Sequence, residues 1–206
     1  MKRIYFVLLL ISTILFSCDN KDEELVNMIV EDVTDVNADS SGPTLKSAIS
    51  YNGTWKYWLA SNTNGTERAQ VFLEGLDPFA TGIRVKEQGG YGIVNLSLIG
   101  KTEKGLPTYT DWTTTNFRGS TKQTNFSSGT DYAKSIQIKE QGGYGIIDAR
   151  LISQRGLSSG WVTGNNNQDE IHTYNCDPGY KIVGVSVREQ SGYGVVDVKI
   201  YVKRVE

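Results

Sequence analysis

The residues best able to do chemistry in this chain come in threes. The run Lys86-Glu87-Gln88-Gly89-Gly90-Tyr91-Gly92-Ile93-Val94-Asn95 returns as Lys139-Glu140-Gln141-Gly142-Gly143-Tyr144-Gly145-Ile146-Ile147-Asp148 and as Arg188-Glu189-Gln190-Ser191-Gly192-Tyr193-Gly194-Val195-Val196-Asp197. Each copy offers a carboxylate, a carboxamide, an aromatic ring between glycines and a second polar group. Glycosidases need two carboxyls about 5–10 Å apart, so Glu87, Glu140 and Glu189 admit a glycan-active enzyme. A structural reading competes: each glutamate accepts hydrogen bonds from the backbone N–H groups of its own glycine turn. Triplication favours that reading, because an active site is needed once and a hairpin in every copy. A third reading gathers the acids near an axis around a cation. Tyr91, Tyr144 and Tyr193 are flat rings beside exposed backbone, a platform for a sugar ring. Gln88, Gln141 and Gln190, with outward-facing Asn95, Asp148 and Asp197, would exchange hydrogen bonds with sugar hydroxyls. Alternatively, each tyrosine packs back over its own turn and shields it.

The rest of the inventory excludes much. The one histidine, His172, sits in the polar stretch Gln168–Thr173 and reads as an exposed strand-end residue. It has no GxSxG, HExxH or cysteine-pair context, so neither a nucleophilic triad nor a zinc site is supported. No phosphate-cradling glycine loop leads into a helix, so no nucleotide or other cofactor is expected. The net charge of -2 gives no reason to expect nucleic acid.

Three markers keep one register. The motif glutamates are 53 and 49 residues apart. Trp58, Trp112 and Trp161 precede them by 29, 28 and 28 residues, and Phe79, Tyr132 and Tyr180 by eight or nine. A fixed period of this length signals a repeat architecture. Before each motif, Ile83 and Val85, Ile136 and Ile138, and Val185 and Val187 alternate with polar residues. After it, Val94, Leu96 and Leu98 do the same, as do Ile147, Ala149 and Leu151, then Val196, Val198 and Ile200. Period two with an apolar face means strands, so each motif is a hairpin turned by glycine. The three tryptophans read as core markers. No helical period appears from 53 to 206. Three units (about 53–105, 106–155 and 156–206), each with some four short strands, predict a closed all-β, pseudo-threefold body that hides its edges. A three-repeat β-prism suits this arithmetic, with a β-trefoil as the alternative.

The repeat length and the stretch Cys176-Asp177-Pro178-Gly179-Tyr180 running to Val185 resemble the vitelline membrane outer layer protein group, whose members are β-prisms. Jacalin-type lectins share that form, and they use a glycine loop with an acidic residue at their sugar sites. The resemblance implies a β-prism here.

The N-terminus carries an address. Lys2 and Arg3 precede thirteen largely apolar residues, Ile4–Phe16. That run is short for a spanning helix, which needs about 20 residues, and has the shape of a secretory signal. Leu15-Phe16-Ser17-Cys18 resembles a bacterial lipobox, which implies removal of residues 1–17 and acylation of Cys18. The acids that follow, beginning Asp19 and Asp22–Glu24, resemble the surface-export signal of Bacteroidetes lipoproteins. Residues 18–52 are acidic and end in breaker residues, so they read as a flexible tether, with a weak apolar rhythm at 25–36. With Cys18 acylated, Cys176 has no disulfide partner and reads as a small, half-buried apolar residue.

The expected protein is therefore a non-enzymatic binding module on the outer membrane, held by its lipid and exposed at the cell surface. Its expected ligand is carbohydrate, taken at the repeated Gly-Tyr-Gly tips. A purely structural or protein-interaction lipoprotein is the main alternative, and a carboxylate-dependent glycan-active enzyme the second.

Overall fold

The computed structural model describes residues 52–89, 92–127, 131–142, 145–191 and 194–205. The signal and tether with Cys18, and the tip tyrosines Tyr91, Tyr144 and Tyr193, lie outside the described residues.

Alternating apolar residues build twelve strands and, among the described residues, no helix. The first motif joins β4 (Phe79–Gln88) to β5 (Gly92–Lys101), the second β8 (Ala133–Gln141) to β9 (Gly145–Ser153), and the third β11 (Tyr180–Gln190) to β12 (Gly194–Arg204). Each pair is antiparallel, and each hairpin belongs to its own sheet. In the first sheet, β6 (Pro107–Tyr109) and β7 (Ser120–Asn125) flank the hairpin. In the second, β10 (Glu170–Asn175) pairs with β8. The third sheet is completed from the other end of the domain. There β1 (Gly53–Trp55) pairs with β12, while β2 (Thr66–Glu67) and β3 (Val71–Phe72) pair with β11. The sheets thus run out of phase with the units drawn from the sequence. The Trp112 and Trp161 segments belong to the sheet of the hairpin before them, and residues 53–72, with Trp58, close the ring on the last.

Two bulges recur in every hairpin. The one near the tip makes Val94, Ile147 and Val196 the extra residues, since Lys86 pairs with Asn95 and Glu87 with Ile93, and likewise in the other copies. A bulge shifts the side-chain phase by one. Ile93, Ile146 and Val195 therefore join the central core, in place of the expected Val94, Ile147 and Val196. From Leu96, Ala149 and Val198 onward the expected alternation holds. One apolar cluster draws on all three sheets, with Ile83, Val85, Leu96, Leu98, Ile136, Ile138, Leu151, Val185, Val187 and Ile200 fully buried.

The displaced residues lie where the sheets meet. A Cβ on Gly92 would come 2.7 Å from the Ile146 carbonyl oxygen and 3.1 Å from Ile147 Cγ2. On Gly145 it would meet Val195 and Val196 at 2.6 and 3.1 Å, and on Gly194 it would meet Ile93 and Val94 at 2.7 and 3.0 Å. Each tip glycine thus presses on the next hairpin, in a cycle of three. All three also have positive φ (+73°, +84° and +81°), which favours glycine.

Candidate functional site

The outer face of each sheet is covered by an extended strap: 110–118 and 159–167 follow their hairpins in the chain, and 56–64, from the start of the domain, covers the third sheet. Each strap is laced to the second hairpin strand at the same places. Thr113 N, Val162 N and Leu59 N donate to the carbonyls of Leu96, Ala149 and Val198 at 3.0 Å. The bulge turns Asn95, Asp148 and Asp197 toward these straps. Asn95 Oδ1 accepts from Leu96 N and Thr114 N, Asp148 Oδ1 from Ala149 N and Thr163 N, and Asp197 Oδ1 from Val198 N and Ala60 N, all at 2.7–3.0 Å. All three are completely buried. The expectation that they face outward to meet a ligand is thus corrected: they clamp the strap and have no accessible surface. Burial raises the Asp197 carboxyl to about 6, although hydrogen bonds from Ala60 and Val198 act against the rise.

The tryptophans likewise leave the central core. Trp112 stacks on Arg84 (4.7 Å) and Lys86 (5.8 Å), Trp161 on Lys139 and Arg150 (both 4.3 Å), and Trp58 on Arg188 (4.2 Å) and Lys199 (4.8 Å). Outward-facing strand cations need cover, and an indole supplies it through cation–π contact. Cys176 is half-buried against the core, and burial pushes its thiol up to about 12, too high for a reactive thiolate.

The motif glutamates stand at the tip end of the inner face. Each reaches diagonally to a basic side chain on the neighbouring strand: Glu87 to Lys122 (2.5 Å), Glu140 to His172 (2.7 Å) and Glu189 to Arg68 (2.8 Å). Among the described residues these side chains are their partners; the turn residues 90–91, 143–144 and 192–193, whose N–H groups the turn-carboxylate reading invokes, lie outside the described residues. The geometry is the same three times, because Val85 pairs with Lys122 and Ile138 with His172, while Arg68 N bonds Val187 O. His172 is half-buried in this pair rather than an exposed strand-end residue.

Each pair abuts the strap of the next sheet. Lys122 Nζ donates to Thr163 O (3.1 Å), and Ser61 N and Oγ both donate to Glu140 Oε2 (3.4 Å). Two clefts open along these seams. One, of about 200 Å³, lies among Gln88, Asn116, Arg118, Glu189 and Gln190. The other, of about 450 Å³, lies among Asn62, Asn64, Glu140, Gly145 and Gln190. They are the same place in two sheets, since Asn62 and Asn116 each cap their strap by accepting from the N–H two residues on, at 2.9 and 3.1 Å. Asn165 does so on the second strap, at 3.0 Å. Of the sequence-predicted ligand residues, Gln88 and Gln190 line the clefts. Gln141 is half-buried at the end of β8. The strap asparagines and the partners Arg68, Lys122 and His172 escaped the sequence reading. The signal for Glu170 and His172 was present, as two ligand-type residues at strand spacing.

No family model matches the sequence, and no curated protein matches it. Among solved structures, a mannose binding jacalin related lectin from Ananas comosus aligns with 74% of this chain and 98% of its own, at 15% identity and TM-score 0.52. The fold is a β-prism. Calystegia sepium agglutinin aligns over 74% of this chain and 97% of its own (16% identity, TM-score 0.51). Artocarpin, in complex with mannopentose, does so over the same shares (12% identity, TM-score 0.50). The β-trefoil alternative falls away, since each hairpin of this prism heads a separate sheet.

Proposed function

We propose that this β-prism binds carbohydrate at the tip end, in the clefts between each strap and the next hairpin. The observation that carries the reading is the repetition of one polar constellation there. Glutamine, strap asparagine and an ion-paired glutamate meet at equivalent places in the two clefts, and the sequence that links the two strands of each hairpin carries Gly-Tyr-Gly. Carboxamides both donate and accept, as sugar hydroxyls require, and a tyrosine ring offers a face to the sugar's C–H surface. Lectin neighbours whose descriptions name mannose and mannopentose make mannose-type sugars the first to test. The lectins among its structural neighbours support binding rather than hydrolysis. Weak equivalent sites on one end sum to avidity against a repeating polysaccharide. The lipobox-like Cys18 and the acidic run after it support a lipid anchor that displays the prism on the outer membrane's outer face. Nucleic acid and cofactors have no part in this reading, and membrane contact is through the lipid alone.

Calorimetric titration with mannose, mannotriose and mannan tests it. The expected result is weak binding of single sugars and about 100-fold or greater enhancement for the polymer. Binding should be lost when Tyr91, Tyr144 and Tyr193 are all changed to alanine. No response across a broad glycan array, or binding untouched by the triple change, overturns it.

A further inference from the structure

The three sheets agree in their glutamate but not in what surrounds it. In the first sheet Ser120 lies opposite Glu87 and Lys122 is its partner. In the third, Thr66 lies opposite Glu189 and Arg68 is its partner. In the second, both positions change to metal-ligand types: Glu170 lies opposite Glu140, and His172 replaces the fixed cation. Like charges directly opposite on antiparallel strands are destabilising. Among the described residues no lysine or arginine pairs with either acid to offset this.

We propose that Glu140, Glu170 and His172 form a site for a divalent transition-metal ion of the zinc class. One atom from each residue lies within 4.8 Å of the other two. His172 Nε2 is 2.7 Å from Glu140 Oε2 and 3.7 Å from Glu170 Oε2. Tetrahedral zinc with bonds of about 2.1 Å sets its ligands about 3.4 Å apart. The 2.7 Å separation must therefore open, while the 3.7 Å one and that between the two carboxylates, at most 4.8 Å, must close, changes within side-chain rotation. Glu170 is exposed and able to move, whereas the Glu140 and His172 side chains are mostly buried and need only a small rotation to part. One imidazole with two carboxylates is a borderline donor set that suits zinc, cobalt or nickel. Glu140 borders the cleft of about 450 Å³, so a fourth position opens to water there, near Ser61 Oγ. Lysine and arginine at the equivalent places, being permanent cations, exclude a metal from the other two sheets.

Untagged, metal-free full-length protein titrated with zinc tests this in the absence of any sugar, so it stands or falls apart from the carbohydrate reading. One ion should bind per chain with a Kd of about 10 µM or tighter, and cobalt(II) should give the intense visible absorption of a tetrahedral site. His172→Lys recreates the pair of the first sheet. It should keep the fold, by circular dichroism and melting, while weakening zinc at least about 100-fold. Glu170→Gln should weaken it at least about 10-fold. Absence of stoichiometric binding at about 100 µM zinc, or unchanged affinity in a folded His172→Lys variant, overturns the proposal.

Discussion

Replacing Gly145 by alanine perturbs a close approach between two sheets. Two separate costs can be read from the structure. The residue has φ +84°, and a left-handed conformation costs a non-glycine residue about 1–2 kcal/mol. The new Cβ would also lie 2.6 Å from the Val195 carbonyl oxygen and 3.1 Å from Val196 Cγ1. Backbone cannot swing aside as a side chain can, and overpacking of this kind costs about 1–3 kcal/mol. The sum is about 3 kcal/mol, which for a domain of this size lowers Tm by about 6–12 °C. Gly179 provides the control. Its φ is +80°, but a Cβ there meets nothing within 4 Å, so Gly179→Ala should show only the conformational cost, about 3 °C. Calorimetric melting of both variants, with Gly92→Ala and Gly194→Ala alongside, isolates the contact. If Gly145→Ala melts no lower than Gly179→Ala, the cyclic packing of tip against hairpin is refuted.

Three further outcomes follow from the clamps and straps. Asp148→Ala strands the N–H groups of Ala149, Thr163 and Gly164 and leaves Lys139 without its carboxylate. It should cost about 3–5 kcal/mol in urea unfolding, whereas Asp148→Asn, which copies Asn95, should cost much less. Asp197, raised to about 6 by burial, holds a proton in the folded state that the unfolded chain has already lost. Its contribution is therefore most favourable at low pH and falls by about 3 kcal/mol as pH rises from about 4 through 6. Glu67, lowered by hydrogen bonds from Lys199 and Gln70, acts oppositely and only at more acid pH. Urea midpoints between pH 5 and 7 should fall with rising pH, and Asp197→Asn should flatten that slope. Trp161→Ala, which uncovers Lys139 and Arg150, should destabilise and quench most of the strap's fluorescence change on unfolding; an unaltered melting curve would contradict the strap's role.

The architecture was legible because the repeat, the period-two alternation and the glycine turns agree with one another. What escaped was phase. A bulge leaves no mark in composition, so Val94, Ile147 and Val196 took the place of Ile93, Ile146 and Val195 in the expected core. The same slip turned Asn95, Asp148 and Asp197 from supposed ligand groups into buried clamps. Glycine at 92, 145 and 194 was expected for its positive φ, but its second purpose, close approach to the next hairpin, depends on contacts between sheets that no local pattern encodes. The tryptophans were misplaced because the sequence shows that an indole recurs but not which face it covers. Lys122, His172 and Arg68 share a position in the fold but differ in residue type, so no repeat search on identity would align them.

The central claim is that sugar binds at the tip end of the prism. Its most direct measurement is an NMR titration of the isotope-labelled protein with the oligosaccharide that responds best in calorimetry, following the side-chain amides of Gln88, Gln190, Asn62 and Asn116. The account predicts saturable shifts gathered on those amides and the tip glycines, with the opposite end of the three sheets silent. Shifts confined to that opposite end, or none with any sugar at about 10 mM, a concentration well above weak lectin-type affinities, would contradict it.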